Sequence, residues 1–299
     1  MTTNQLNMMN NFTTKYEKIL EILKQFETKS NFLNQIRCPR LSDIELIAVD
    51  LTAESFSIDS EHQLFRVLPK FIGSKIERSV YNRRRRKLLF VKERIRKALS
   101  KQLIGLENYF IVDSMPLEIC KLSRSSRTKI CKENYLTSPS KGYCASQKMD
   151  FYGYKLHAVC SSNGVFCDFE LTAGAVHDIH YLKNIKDNFS SCVMIGDKGY
   201  VSAEYQLDLF TSNNIKLEVP MRVNQHNYKK QPYLLRKTRK RIETLFSQLC
   251  DQFMIRRNYA KSFDGYRTRI LSKITSVTVI QMINKLLNRN INNLKTLVV

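Results

Sequence analysis

At Leu106 the spacing of apolar residues changes, and that change restricts the chain to few architectures. Before it, apolar residues recur at helical intervals. After it come short continuous apolar runs bounded by turn residues, the pattern of buried strands between helices. Tyr109-Phe110-Ile111-Val112 stops at Asp113, and Cys192-Val193-Met194-Ile195 stops at Gly196 and Asp197. Two strand-like stretches, 151–160 and 165–172, are joined through Asn163-Gly164, a strong hairpin signal. Asp178 is the expected N-cap of a helix. A helix over 202–212, a strand over 216–219 and a basic loop follow. The long helical stretch "RKTRKRIETLFSQLCDQF" comes next, then a helix over 266–297 that can cover the sheet. Residues 118–150 read as a long polar, basic connection. Helices followed by β, ββ, α, β, α, β, α predict a helical N-terminal region, 1–100, and an α/β domain with a mixed sheet, 101–299.

In the N-terminal region, Phe12, Tyr16, Ile19, Leu23 and Phe26 predict a helix over 12–36. Pro39 ends that pattern. Ser42 and Glu45 then form a capping-box signature for a helix running through Leu51, and a second short helix is expected over 60–68. The pair suits a DNA-binding helix-turn-helix and equally a small helical bundle. "YNRRRRKLLFVKERIRKAL" follows, with Leu88, Val91, Ile95 and Leu99 as an apolar stripe. Its run Arg83, Arg84, Arg85, Arg86 is either a solvated face or a phosphate contact. Adjacent like charges repel without an anionic partner, which favours phosphate.

Composition supports such a partner. Lys and Arg number 49 against 27 Asp and Glu, a net charge of +22, while 43% of residues are hydrophobic. A folding chain this basic points to a polyanion, foremost nucleic acid. No apolar run approaches the ~20 residues of a membrane span, and the first twenty residues lack a signal-peptide pattern, so a cytoplasmic location is expected. None of the eight cysteines falls in Cys-x-x-Cys spacing, so Cys120, Cys131 and Cys144 carry no zinc signature.

Ligand sites in open α/β sheets lie beyond the carboxyl ends of strands. If the strands ending at Asp113 and Asp197 are neighbours, the two carboxylates converge and repel. A hard divalent cation such as Mg²⁺ relieves that repulsion. Glu243 is the expected third acid. It borders the apolar face Ile242, Leu245, Phe246, Leu249, and Arg236, Arg239 and Lys240 lie on its side of the helix. The plainer reading is an intrahelical pair with Arg239. Lys155 is a further candidate for phosphate contact. His157 reads as packed, and His177 as structural.

"IVDSMPL", "MIGDKGY" and "RKRIETLFSQL", in that order, resemble the DDE transposases of bacterial insertion sequences. With "YGYKLHAV", "AGAVHDI" and "LSDIELIAVDL", the chain resembles the insertion sequence 982 family over nearly its whole length. The acids are separated by 84 and 46 positions, compatible with such enzymes. The resemblance implies a ribonuclease-H-like fold and a catalytic, metal-binding set Asp113, Asp197 and Glu243. It also implies Mg²⁺, with Mn²⁺ as substitute, and two-metal phosphoryl transfer. The implied partners are double-stranded DNA, as terminal inverted repeats and target, and further copies of the chain in a homodimer or larger assembly on the bacterial nucleoid. Related enzymes often carry Tyr, Arg, Glu and Lys around the last acid. Here Arg239 matches, while Arg236 and Cys250 stand where Tyr and Lys are expected. A nuclease of the same fold without strand transfer, and an inactive DNA-binding repressor, are the alternatives.

Overall fold

The computed structural model describes residues 3–221, 224 and 228–295, with side chains from Asn10 onward. Residues 222, 223 and 225–227 of the expected basic loop, and the last two residues of the expected 266–297 helix, lie outside the described residues. In chain order the elements begin with α1 (Thr3–Phe26), α2 (Asp43–Ser55), α3 (Glu61–Val67), α4 (Lys70–Gly73), α5 (Arg78–Lys87) and α6 (Leu89–Ile104). The strands β1 (Tyr109–Cys120), β2 (Ser140–Cys144), β3 (Met149–Ser161) and β4 (Phe166–Ala173) follow. Then come α7 (Leu182–Ile185), β5 (Cys192–Ile195), α8 (Ala203–Asn213), β6 (Ile215–Glu218), α9 (Tyr233–Asp251) and α10 (Phe263–Leu286). The chain forms two compact units, 104–247 and a helical one from 1–103 and 248–299. The sequence draws one boundary near residue 100; the second, at 247, falls within α9.

In the helical unit the capping box forms as read. Ser42 Oγ accepts the Glu45 N–H at 3.3 Å, and Glu45 Oε2 accepts the Ser42 N–H at 2.7 Å. α2 is buried along nearly its whole length, with α1, α5 and α10 packed on it. A helix wrapped this way is the centre of a bundle. α10, expected over the sheet, instead packs on α1, α2 and α5. Its polar residues Ser272, Lys273, Ser276 and Gln281 are all buried, and several meet charges on α2. Asp50 accepts from Lys92 Nζ at 2.8 Å, Ser272 Oγ at 2.6 Å, Tyr81 Oη at 3.1 Å and Arg85 Nη1 at 3.2 Å. Glu54 pairs with Lys273 and Arg269.

The basic run on α5 therefore divides. Tyr81, Arg84, Arg85 and Leu88 share one helix face and are buried. Arg84 is bound to Asp43 at 2.5 Å and Arg85 to Asp50. The expectation that all four arginines meet phosphate is corrected for these two, because their guanidinium groups already neutralise buried acids. Arg83 and Arg86 are exposed.

The second unit is built on one six-stranded sheet. β3 runs antiparallel to β1 on one edge; on its other edge β2 and β4 follow one another. β5 and β6 continue from β1 as parallel strands. This mixed sheet, a meander followed by parallel strands, with helices around it, is ribonuclease-H-like. β2 and β4 meet at Gly142 and Gly174, where a Cβ on Gly142 would lie 2.3 Å from the Gly174 carbonyl oxygen. Only glycine fits there. β2 lies inside the expected 118–150 connection, which is thus partly sheet. Phe110, Val112, Val159, Met194, Leu209 and Ile215 contribute to one core.

Candidate active site

β1 and β5 pair in parallel with Phe110 opposite Met194 and Ile111 opposite Ile195. β5 stops at Ile195. Asp197 follows two residues later in the turn, and Asp113 is two residues beyond Ile111 within β1, so both acids lie past the same end of the paired segment, near enough for Asp197 to act on the Asp113 carboxyl. Asp113 is not the end of its strand, as the sequence suggests. β1 continues to Cys120 against β3, with Asp113 opposite Ala158. β5 instead leaves the sheet at Gly196, where an added Cβ would crowd Tyr200 Cδ2 and Val219 Cγ1, each at 3.3 Å. A crevice opens between a strand that goes on and one that turns away.

Asp197 caps its own turn, its Oδ1 accepting the Lys198 N–H at 2.5 Å. Asp113 Oδ1 accepts the Ser114 N–H at 2.8 Å. α9 brings Glu243, and its apolar stripe Ile242, Leu245, Phe246 and Leu249 is buried as its spacing predicts. Arg239 stands between the acids, with Nη2 3.2 Å from Glu243 Oε1 and Nη1 3.8 Å from Asp197 Oδ1. The Glu243–Arg239 pair expected from spacing thus exists, and it reaches Asp197 as well. Exposed pairs of this kind hold about 0.3–0.5 kcal/mol, little enough for a ligand to displace.

Burial pushes the Asp113 carboxyl up to about 7; Asp197 and Glu243 push the same way, against the Ser114 N–H and Arg239. Tyr200 lies buried beneath the Asp197 turn. Its phenol is raised well above its ordinary value by burial and by Asp178, Asp113 and Asp197.

Lys155 does not face open solvent. Its Nζ donates to the Val176 carbonyl at 2.9 Å and pairs with Asp178 Oδ1 at 3.0 Å, both side chains largely buried. The expected phosphate contact is replaced by an internal one. Asp178 in turn borders the Asp197 turn, 3.6 Å from where a Cβ on Gly199 would lie. His177, not Asp178, caps the helical turn at 178–181. His157 is buried, bonded to Thr172 Oγ1 at 2.8 Å and stacked on Tyr181. Arg236 and Lys240 are exposed on α9. Sequence reasoning missed Asp178, Tyr200 and Ser114 as neighbours of the acids. "AGAVHDI" and "MIGDKGY" contained two of them.

Residues 105–279 match the family described as the transposase DDE domain, more than half of the chain. The chain belongs to that family. No curated protein matches this transposase in sequence. Among solved structures, the Mos1 transposase paired-end complex with left transposon end is similar over 86% of this chain and 83% of its own. Its identity is 11% and its TM-score 0.23, too loose a likeness to carry over any residue.

DDE transposase domains use divalent metal ions. Among the described residues, no three acidic, histidine or cysteine side chains converge closely enough to hold an ion as they stand. The expected convergence is corrected to that extent: the three acids share a crevice, and Arg239 supplies the positive charge between two of them. The donor chemistry fits a hard cation. All three candidates are carboxylates, and Asp113 is raised by burial first and by Asp197 and Glu243 after it. The described cysteines are all free thiols. No helix of the described residues is long and apolar enough to cross a membrane.

Proposed function

We propose that this transposase cuts the ends of its own insertion element and joins them to target DNA by metal-dependent phosphoryl transfer. We assign it to the insertion sequence 982 group of bacteria, acting in the cytoplasm on the nucleoid. The observation that carries the reading is the placement of Asp113 in β1 and Asp197 in the turn after β5, past the same end of their paired segment, with Glu243 tied to Asp197 through Arg239. Asp113, Asp197 and Glu243 would hold Mg²⁺, or Mn²⁺ in its place. A metal held by these carboxylates would supply Lewis-acid chemistry to the attacking water or DNA 3′-hydroxyl and to the leaving oxygen.

The chain's own residues do the rest. Asp113, its carboxyl raised to about 7 by burial, would hold the cation in place of a proton. Arg239 leaves the acids for a DNA phosphate, a short movement for a long side chain in a weak pair. Arg236 and Lys240, exposed on the same helix, hold the phosphates on either side. Lys155 supports the Asp197 turn through Asp178. The DNA partners are the terminal inverted repeats and the target duplex, bound by two or more copies of the chain.

The test is incubation with labelled element ends, Mg²⁺ and a plasmid target. Joined products are expected in Mg²⁺ and in Mn²⁺. Cleavage without joining would reduce the enzyme to a nuclease, and activity in chelator or only with Zn²⁺ would remove the three-carboxylate site.

A further inference from the structure

The outer face of α5 borders two open clefts within the helical unit. One, of about 500 Å³, lies among Arg78, Arg86, Lys261 and the first turn of α10. The other, of about 390 Å³, lies among Arg83, Arg86, Lys87 and Arg267. Arg86 belongs to both. Arg83, Arg86, Lys87 and Lys261 are exposed, and among the described residues they have no ion-pair partner. The acids bordering the clefts are largely engaged. Glu61 faces Arg78 at 3.7 Å and Arg85 at 3.5 Å, and Asp264 faces Arg267 at 3.2 Å.

Two further observations point to an anion. α10 begins at the Ser262 cap, so the positive end of a 24-residue helix opens into the larger cleft. Arg85, only 6% exposed, lines the same cleft, and its Nε is buried without a hydrogen-bond partner among the described residues. The Asn82 amide is already bonded to both Glu61 oxygens, at 2.6 and 2.7 Å. Most contacts of cationic side chains with a duplex go to its phosphates, which fix it in position and carry no sequence information.

We propose that the two clefts form one groove for the phosphate backbone of double-stranded DNA, built jointly by α5 and the C-terminal segment Tyr259–Arg267. This rests on the transposase reading for its choice of polyanion. It moves part of the DNA surface from the N-terminal helices to a segment more than 170 positions further along the chain.

The experiment measures affinity of the full chain for a random-sequence duplex over a range of salt. Each phosphate contact contributes about 0.9 to the log–log slope. R86Q and K261Q should each flatten the slope by about that amount, and the double variant by about twice it. R267Q should act in the same direction. K24Q and K101Q, exposed lysines elsewhere in the unit, should leave the slope unchanged, and circular dichroism should show every variant folded. A flattened slope in R86Q with none in K261Q or R267Q would remove the C-terminal half and overturn the groove. Equal flattening by the two control lysines would also overturn it, as diffuse charge. A wild-type chain without measurable DNA binding would overturn the transposase reading itself.

Discussion

Asp50 in the helical unit and Asp113 in the sheet unit are both shielded aspartates surrounded by charge, and their surroundings push them in opposite directions. Burial alone would raise Asp50, but Lys92 and Arg85 pull it well below the usual carboxylate range. Asp113 is raised to about 7, because burial, reinforced by two more acids, outweighs the Ser114 N–H and Arg239. The first is a finished ionic network, with four donors on one carboxylate. The second has the single cation Arg239 beside its acids. A cation among Asp113, Asp197 and Glu243, as proposed above, would supply the second the counter-charge that Lys92 and Arg85 give the first.

The largest expected effect follows from this difference. Asp113→Asn, Asp197→Asn and Glu243→Gln should each abolish strand cleavage while leaving duplex binding and folding intact, because each removes repulsion as well as a metal ligand. Gel assays on labelled ends, with thermal melting of each variant, make the check. Near-normal cleavage by one of them would remove that residue from the site. Asp50→Asn should do the reverse. It leaves Lys92 and Arg85 buried without their counter-charge and should cost about 3–5 kcal/mol, measured by urea unfolding of the helical unit. A loss under 1 kcal/mol would mean the network is less closed than its distances suggest.

The two regions were not equally legible. Binary pattern found the α9 stripe, the α2 capping box and the β3–β4 hairpin, because each is a local signal with a local cause. It also singled out Asp113 and Asp197, each at the end of an apolar run, and Glu243, at the edge of the α9 stripe. It failed where tertiary neighbours decide. The predicted 12–36 helix ends at Phe26 because Asp43 captures the following segment, accepting the Phe32 and Leu33 N–H groups. Arg84 and Arg85 read as surface because their partners on α2 are more than thirty positions away. α10 hides its burial because Ser272 and Lys273 satisfy acids from another helix. β1 runs on past Asp113, where the apolar run stops, and even through Pro116. After Ile111 no strand pairs on the β5 side, so a proline there forfeits no ladder bond.

A smaller effect separates support from contact at Lys155. If Lys155 holds the Asp197 turn through Asp178, Lys155→Met should lower stability by about 1–2 kcal/mol. Cleavage should fall about tenfold per 1.4 kcal/mol of lost positioning, with an unchanged salt slope for DNA binding. Lys155→Arg, which keeps charge and donors, should restore most of both. A slope flattened by about 0.9 in Lys155→Met would instead make Lys155 a phosphate contact.

A pH dependence should also distinguish the two aspartates without any DNA. Asp113 has a folded value near 7, above the ordinary value of about 4. Between those values the native state keeps a proton that the unfolded chain releases. Its contribution to stability is therefore complete below about pH 4 and lost as pH rises through 7. Asp50, with its folded value depressed, contributes fully above pH 4 and loses that contribution only in strong acid. It adds no slope in the same window. His157, lowered to about 4 by burial, works against Asp113 there, gaining stability as pH rises towards 6.5. The difference between the metal-free wild type and Asp113→Asn cancels His157 and Asp50 together. That difference in urea midpoint should move steadily against the wild type from pH 4 to 7 and then level off. With saturating Mg²⁺ the cation replaces the proton, so the trend should shrink and metal binding should tighten over the same range. A difference that stays flat with pH would mean that Asp113 is already ionised in the empty crevice, and the contrast with Asp50 would fail.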